Sequence, residues 1–179
     1  MEYANDLKQY WKRGYGHDIN SRSSCALFHD LFRRLDAAVE ENRAGRPVSE
    51  PVSIQVGHAE TLLPLLTLLG FFRDRDPLTA ANYAAQAERS FRTGRTLPYA
   101  ANLAVALLDC GDGDGLRVRA LLNEAPLAFP GTDAGAGAPP PLYSDVRKRY
   151  QTLLLGCDYE AECRLKPQEP QEPQEPQEP

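Results

Sequence analysis

Apolar side chains recur at helical spacing along much of the chain and alternate with polar ones in a few short runs. Tyr3, Leu7, Tyr10 and Trp11 share one face of a helix over residues 2–13, and Gly14-Tyr15-Gly16 ends it. Asn20 or Ser21 offers an N-cap to a second helix. Its stripe of Leu27, Phe28, Leu31, Phe32, Leu35 and Val39 runs to about Arg43, ahead of Gly45 and Pro47. Val52, Ile54 and Val56 alternate with Ser53 and Gln55, the pattern of a short strand over 51–57. Residues 61–72 are apolar nearly all round, so a helix there must be largely buried. Pro64 suits that helix only near its start. A further helix is expected around 80–91. Leu103–Leu108 and Leu116–Leu122 read as strands of a β-hairpin across the turn-forming run from Cys110 to Gly115. A Gly/Ala/Pro loop spans 131–141, and Tyr143–Leu155 forms a last amphipathic helix. Sheet strands with flanking helices make the fold class α/β.

Charge changes this picture at one end. The chain has 179 residues, 20 Lys+Arg and 25 Asp+Glu, for a net charge of -5. Its last 13 residues repeat Gln-Glu-Pro, carry four of the glutamates and hold no basic residue. The body is therefore nearly neutral. The repeat favours extended polyproline II and has no apolar side chain to bury, so 167–179 is expected to be a disordered tail. Neither part has the basic balance of a nucleic-acid binder. The longest apolar run, 62–72, is too short for a membrane span, which needs about 20 residues. The first residues have neither the basic start nor the apolar run of a secretory signal. Cys25, Cys110, Cys157 and Cys163 contain no CxxC pair, so no zinc site is expected. Cys157 and Cys163 either bridge a small loop or remain thiols.

The candidate chemistry lies where the 51–57 segment meets the next helix. Gly57-His58-Ala59-Glu60 places a histidine and a carboxylic acid at a helix N-terminus, which offers free N–H groups and partial positive charge to an anion. His58 is placed to bond a phosphate oxygen, and Glu60 to give a proton to a leaving oxygen. A helix cap beside a solvated neighbour is the other reading of the same pair. Lys12 and Arg13, before the Gly-Tyr-Gly bend, either line a pocket or form a solvated basic pair at a helix end. The arginines between Arg73 and Arg95 are read as surface charge or ligand contacts.

The run Val56-Gly57-His58-Ala59-Glu60-Thr61-Leu62-Leu63-Pro64 resembles the histidine acid phosphatase family, and its His-Ala-Glu resembles the inositol polyphosphate phosphatase branch. Asp6–Gly16, Asn20–Cys25, Phe91–Ala100 and Arg117–Glu124 are similar to that branch as well, so the resemblance covers residues 2 to about 164. It implies a histidine phosphatase-like fold with the first helices partly in a helical cap. It implies hydrolysis of phosphomonoesters of inositol polyphosphates, of phytate type, with bisphosphoglycerate as a second substrate. His58 would contact the scissile phosphate, Glu60 would be the proton donor, and Lys12 and Arg13 would bind substrate. No cofactor or metal is implied. A carboxyl must be protonated to act so, and an ordinary Glu is protonated only below about pH 4.3; activity at acid pH is the corollary.

One departure bears on all of this. The family's nucleophile lies in Arg-His-Gly-x-Arg-x-Pro, and none of His17, His29 and His58 follows an arginine. Residues 1–166 therefore look like the C-terminal part of such a domain, carrying the proton-donor half and expected to be inactive alone. The resemblance implies the endoplasmic reticulum lumen or secretory pathway, although the sequence shows neither a signal nor a retention tetrapeptide. Self-association through uncovered surface is a further expectation. The alternative is a non-catalytic truncated product that binds anions weakly or acts as an interaction protein.

Overall fold

The first helix stops where it does because the chain beyond it runs against aromatic side chains. α1 (Glu2–Arg13) buries Tyr3, Asp6 and Tyr10. A Cβ on Gly14 would meet the Phe91 ring at 2.8 Å, and one on Gly16 would meet Trp11 Cα at 2.6 Å. A computed structural model describes this architecture for residues 1–111, 115–132 and 138–164. The Gln-Glu-Pro tail and the centre of the expected 110–115 turn lie outside those residues.

After the bend come α2 (Asp18–Arg22) and α3 (Cys25–Arg43). The expected single helix is thus two: Asn20 and Ser21 lie within α2, and Ser24 precedes α3. Asn20 Nδ2 instead donates to the carbonyls of Trp11 and Gly14, both at 3.1 Å, tying α2 to the end of α1.

α4 (Ala59–Leu68) starts two residues earlier than its apolar pattern suggests. Pro64 consequently lies past the first turn, where it removes the N–H that would bond the Glu60 carbonyl. The all-round hydrophobicity of α4 has a direct cause. Leu65, Leu66 and Leu68 enter the main core with Phe28, Phe32 and Val118. Leu63 joins a second, smaller cluster with Tyr3, Tyr10, Leu78 and Phe91. α4 is the wall between the two.

Between α4 and the sheet the helix expected over 80–91 does not form. A single 3₁₀ turn, Tyr83–Gln86, and the short α5 (Thr93–Thr96) occupy the region. Side-chain bonds to the backbone take over there. Asp74 accepts from Ser90 N and Phe91 N, and Asn82 Oδ1 accepts from Thr79 N.

β1 (Leu103–Leu108) and β2 (Arg117–Leu122) pair antiparallel, with Leu103 opposite Leu122, as the hairpin reading requires. β2 turns Val118, Ala120 and Leu122 into the core and Arg119 outward. A third strand, β3 (Ala125–Leu127), pairs with β2. The two-residue connection has positive φ at Asn123 (51°) and Glu124 (63°), the conformation that matches strand twist in tight hairpins. Asn102 steadies it, its N–H donating to Asn123 Oδ1 and its side chain to Glu124 Oε1.

The last expected helix is broken at Tyr150 into α6 (Tyr143–Arg149) and α7 (Gln151–Gly156), and α8 (Tyr159–Cys163) follows. Helices with a small antiparallel sheet make a partial α/β fold. Among the described residues no helix is long and apolar enough to cross a membrane.

Two further sequence readings are overturned. Residues 51–57 form no strand, and none of the described strands pairs with them. The whole segment is exposed, its polar residues as well as its apolar ones. Gln55 Nε2 donates to Asp30 Oδ2 on α3 at 2.6 Å, while Val52, Ile54 and Val56 are 71%, 82% and 95% exposed. Hydrogen bonds from Arg34 and Arg33 hold the Asp30 carboxyl down to about 2, so this anchor stays charged across the physiological range. The other correction concerns the cysteines. Cys157 pairs with Cys25, 132 positions away, and not with Cys163. Cys110 and Cys163 are exposed thiols.

Three phenols bond across the core: Tyr15 to the Phe71 carbonyl at 2.6 Å, Tyr150 to the Leu69 carbonyl at 2.7 Å, and Tyr143 to Asp36 Oδ1 at 2.7 Å. Burial foremost pushes all three above the ordinary phenol value of 10. The fold therefore holds these protons while the unfolded chain releases them, so stability is full below about pH 10 and falls as pH rises beyond it. Each such phenol steepens the loss by about 1.4 kcal/mol per pH unit. Urea midpoints measured from pH 8 to 11.5 should be flat and then drop; a flat profile to pH 11.5 would refute it.

Candidate active site

His58 caps α4 with its backbone. Its φ of -117° and ψ of 170° are extended, and its carbonyl accepts from Thr61 N at 2.9 Å and Leu62 N at 3.1 Å. The imidazole makes no capping bond and stands in solvent at the helix N-terminus. This is the setting in which backbone N–H groups and the helix dipole favour an anion. Gly57 is not forced by packing: a Cβ there would lie 3.4 Å from the Thr61 side chain, an ordinary contact.

Glu60 lies in the first turn of α4, and its side chain is 58% exposed. Its carboxylate Oε1 is 3.1 Å from Arg13 Nη2. Arg13 is the last residue of α1, and its other terminal nitrogen donates to Gln9 Oε1 at 3.0 Å. Each charge sits at the helix end that favours it, the acid at an N-terminus and the base at a C-terminus. The sequence candidates thus separate. Arg13 and Glu60 are brought together beside His58, while Lys12 points to solvent and touches neither.

Three of the other basic candidates are used elsewhere. Arg89 is buried against Asp6, Arg73 lies 5.4 Å from the Tyr15 ring centroid, and Arg92 donates to the carbonyls of Ala87 and Arg89. His29 Nε2 lies 2.7 Å from the Cys157 carbonyl, beside the disulfide. His17 packs its ring on Trp11, whose Nε1 donates to the Leu78 carbonyl.

The Asp6–Arg89 pair is the element sequence reasoning missed. Asp6 Oδ2 accepts from Arg89 Nε and Nη2, and Oδ1 accepts from Thr93 N and Thr93 Oγ1. A signal for it existed. Asp6 falls on the same helical face as Tyr3 and Tyr10, and a charge inside an apolar stripe is rarely buried without a partner.

A surface groove between α3 and α6, lined by Asp36, Arg43, Tyr143 and Arg147, lies away from His58 and Glu60. The candidate site is instead an open surface: a helix N-terminus, an imidazole, and a carboxyl paired with one guanidinium. Such a set can hold a phosphoryl group and protonate an oxygen leaving it. It contains no second histidine to attack phosphorus.

Comparison with known proteins bears on the same residues. The histidine phosphatase superfamily (branch 2) matches residues 1–123, which include Arg13, His58 and Glu60. Multiple inositol polyphosphate phosphatase 1 of Gallus gallus is 51% identical over 168 residues, covering 92% of this chain and 37% of the relative. Its Homo sapiens counterpart is 49% identical over 171 residues, covering 92% of this chain and 34% of the relative. A phytase A of Aspergillus oryzae is 21% identical over 145 residues, covering 74% of this chain and 31% of the relative. The chain thus spans about a third of the length of these curated relatives.

Proposed function

The chain belongs to branch 2 of the histidine phosphatase superfamily, and from that premise we propose that it carries the proton-donor part of an inositol polyphosphate phosphatase. The substrates are phosphomonoesters of inositol polyphosphates, of phytate type, with bisphosphoglycerate as a second substrate. His58 contacts the scissile phosphate. Glu60 passes a proton to the alkoxide as its P–O bond breaks and a nucleophilic histidine takes the phosphoryl group; water then hydrolyses the phosphohistidine. The observation that carries this reading is the His58–Glu60 arrangement: both side chains are open to solvent on the first turn of α4.

The attacking histidine of the family's motif has no counterpart among His17, His29 and His58. The 179-residue chain alone is therefore expected to release no phosphate from inositol hexakisphosphate at acid or neutral pH. Turnover by the purified chain that disappears in Glu60→Gln would overturn this and make it a complete enzyme.

The exposed apolar edge supports a second expectation. Val52, Ile54 and Val56 are exposed on a segment that pairs with none of the described strands, and its alternating pattern is the kind that invites strand addition. We propose that two copies associate through it. Sedimentation at high protein concentration should show dimers or larger species for the wild type and monomer for Ile54→Lys; a monodisperse wild-type monomer would count against it. The compartment proposed is the secretory pathway or endoplasmic reticulum lumen, where the Cys25–Cys157 bond would persist. Isolation of the native chain with Cys25 and Cys157 reduced would contradict that placement.

A further inference from the structure

We propose that Arg13 is the phosphate-responsive element of this site, an anchored guanidinium that neutralises Glu60 at rest and gives it up to an incoming phosphoryl group. The inference rests on the reading of His58 and Glu60 given above.

The two partners of this ion pair are not equally free. Arg13 is held at both ends of its guanidinium, by Gln9 through Nη1 and by Glu60 through Nη2, and its side chain is 21% exposed. Glu60 is 58% exposed, and Arg13 is the ion-pair partner of its carboxylate among the described residues. Gly14, packed against Phe91, fixes the end of α1 that carries Arg13. The guanidinium is therefore the fixed member and the carboxylate the movable one.

A phosphoryl group docking at His58 and the α4 N-terminus brings its oxygens to the same guanidinium. Arginine binds phosphate oxygens at least as readily as a carboxylate, through the same N–H fork. The phosphate displaces Glu60 from Nη2, and Gln9 keeps Arg13 in place while it does so. Freed from Nη2, the carboxyl is left beside the bound phosphoryl group, where the proposed function has it act. Lys12, one residue away and turned to solvent, has no part in this exchange.

The test is binding of inorganic phosphate to the 179-residue chain, followed by NMR, with inositol hexakisphosphate as a second probe. Exposed ion pairs contribute little to stability, so variants of Arg13 and Glu60 should fold, as circular dichroism will check. Arg13→Gln should weaken phosphate binding by about fivefold or more, and Arg13→Lys should recover part of the loss. Glu60→Gln should tighten it by roughly three- to tenfold, because Arg13 is no longer neutralised and a like charge is gone. A merely structural pair makes the opposite forecast, since removing either member would loosen the site. Glu60→Gln binding that is unchanged or weaker overturns the proposal. Loss in His58→Ala with none in Arg13→Gln keeps the phosphate site and overturns the role of Arg13. Binding that no variant alters overturns both.

Discussion

Reducing the Cys25–Cys157 bond is expected to cost about 5 kcal/mol of stability, a loss set by the 132-residue separation of its ends. The bond joins the start of α3 to the residue just after α7, so it closes a loop containing most of the described chain. Loop closure of that length removes a large share of the unfolded chain's freedom, and the folded state has both sulfurs in the core already, Cys25 at 0% and Cys157 at 4% exposure. Reduction therefore leaves the native packing largely as it is and frees the denatured state. Two signatures separate this from simple damage to the fold. The urea midpoint should fall sharply with reductant while the m-value rises, because a released chain exposes more surface on unfolding. Thiol titration in denaturant should find two reactive cysteines, Cys110 and Cys163, before reduction and four after. Four thiols before reduction, or a stability change under about 1 kcal/mol, would sink the expectation. A loss of this size matters because whole-domain stabilities are only about 5–15 kcal/mol.

Local patterning was legible where one face of one element settles the matter. α1, the body of α3 and the β1–β2 hairpin follow from spacing and turn composition, since their apolar positions meet cores that lie within the chain, whereas the start of α3 did not. The 51–57 segment shows where such reading stops. Its alternation is a true strand pattern, yet a strand forms only when a neighbouring edge supplies hydrogen bonds, and no described strand does. The 80–91 stretch fails for a different reason. Asp74 bonds its backbone directly at Ser90 and Phe91, Asn82 turns its side chain back to the Pro77 carbonyl, and local side-chain bonds of that kind compete with helix. His58 and Glu60 were readable as a pair because they are near neighbours in sequence. The link from Arg13 to Glu60 spans 47 positions and that from Asp6 to Arg89 spans 83, so only the fold brings them together.

Replacing Asp6 with alanine is expected to destabilise the chain by about 3–5 kcal/mol, the usual cost of leaving a buried charge without its partner. Asp6 is fully buried and Arg89 is 8% exposed. Four donors converge on the carboxylate: Arg89 Nη2 at 2.5 Å, Arg89 Nε at 3.1 Å, Thr93 N at 2.9 Å and Thr93 Oγ1 at 2.7 Å. What remains for the guanidinium is Glu2 at 3.7 Å, the Gln86 carbonyl, and the Tyr3 ring at 5.0 Å. Those partners do not replace two charge-assisted bonds. A paired substitution that removes both charges, Asp6→Ala with Arg89→Met, should recover part of the loss, because no buried charge is then left without its partner, although Thr93 N and Oγ1 still lose their acceptor. The double-mutant cycle then gives a strong coupling between two residues 83 positions apart. The effect should also reach the candidate site. Asp6 pins α1 to α5, and α1 ends at Arg13, so the Asp6→Ala chain should hold phosphate less well than wild type under conditions where both are folded. A cost under about 1 kcal/mol, or equal loss in the single and paired variants, would show that the network does not anchor α1.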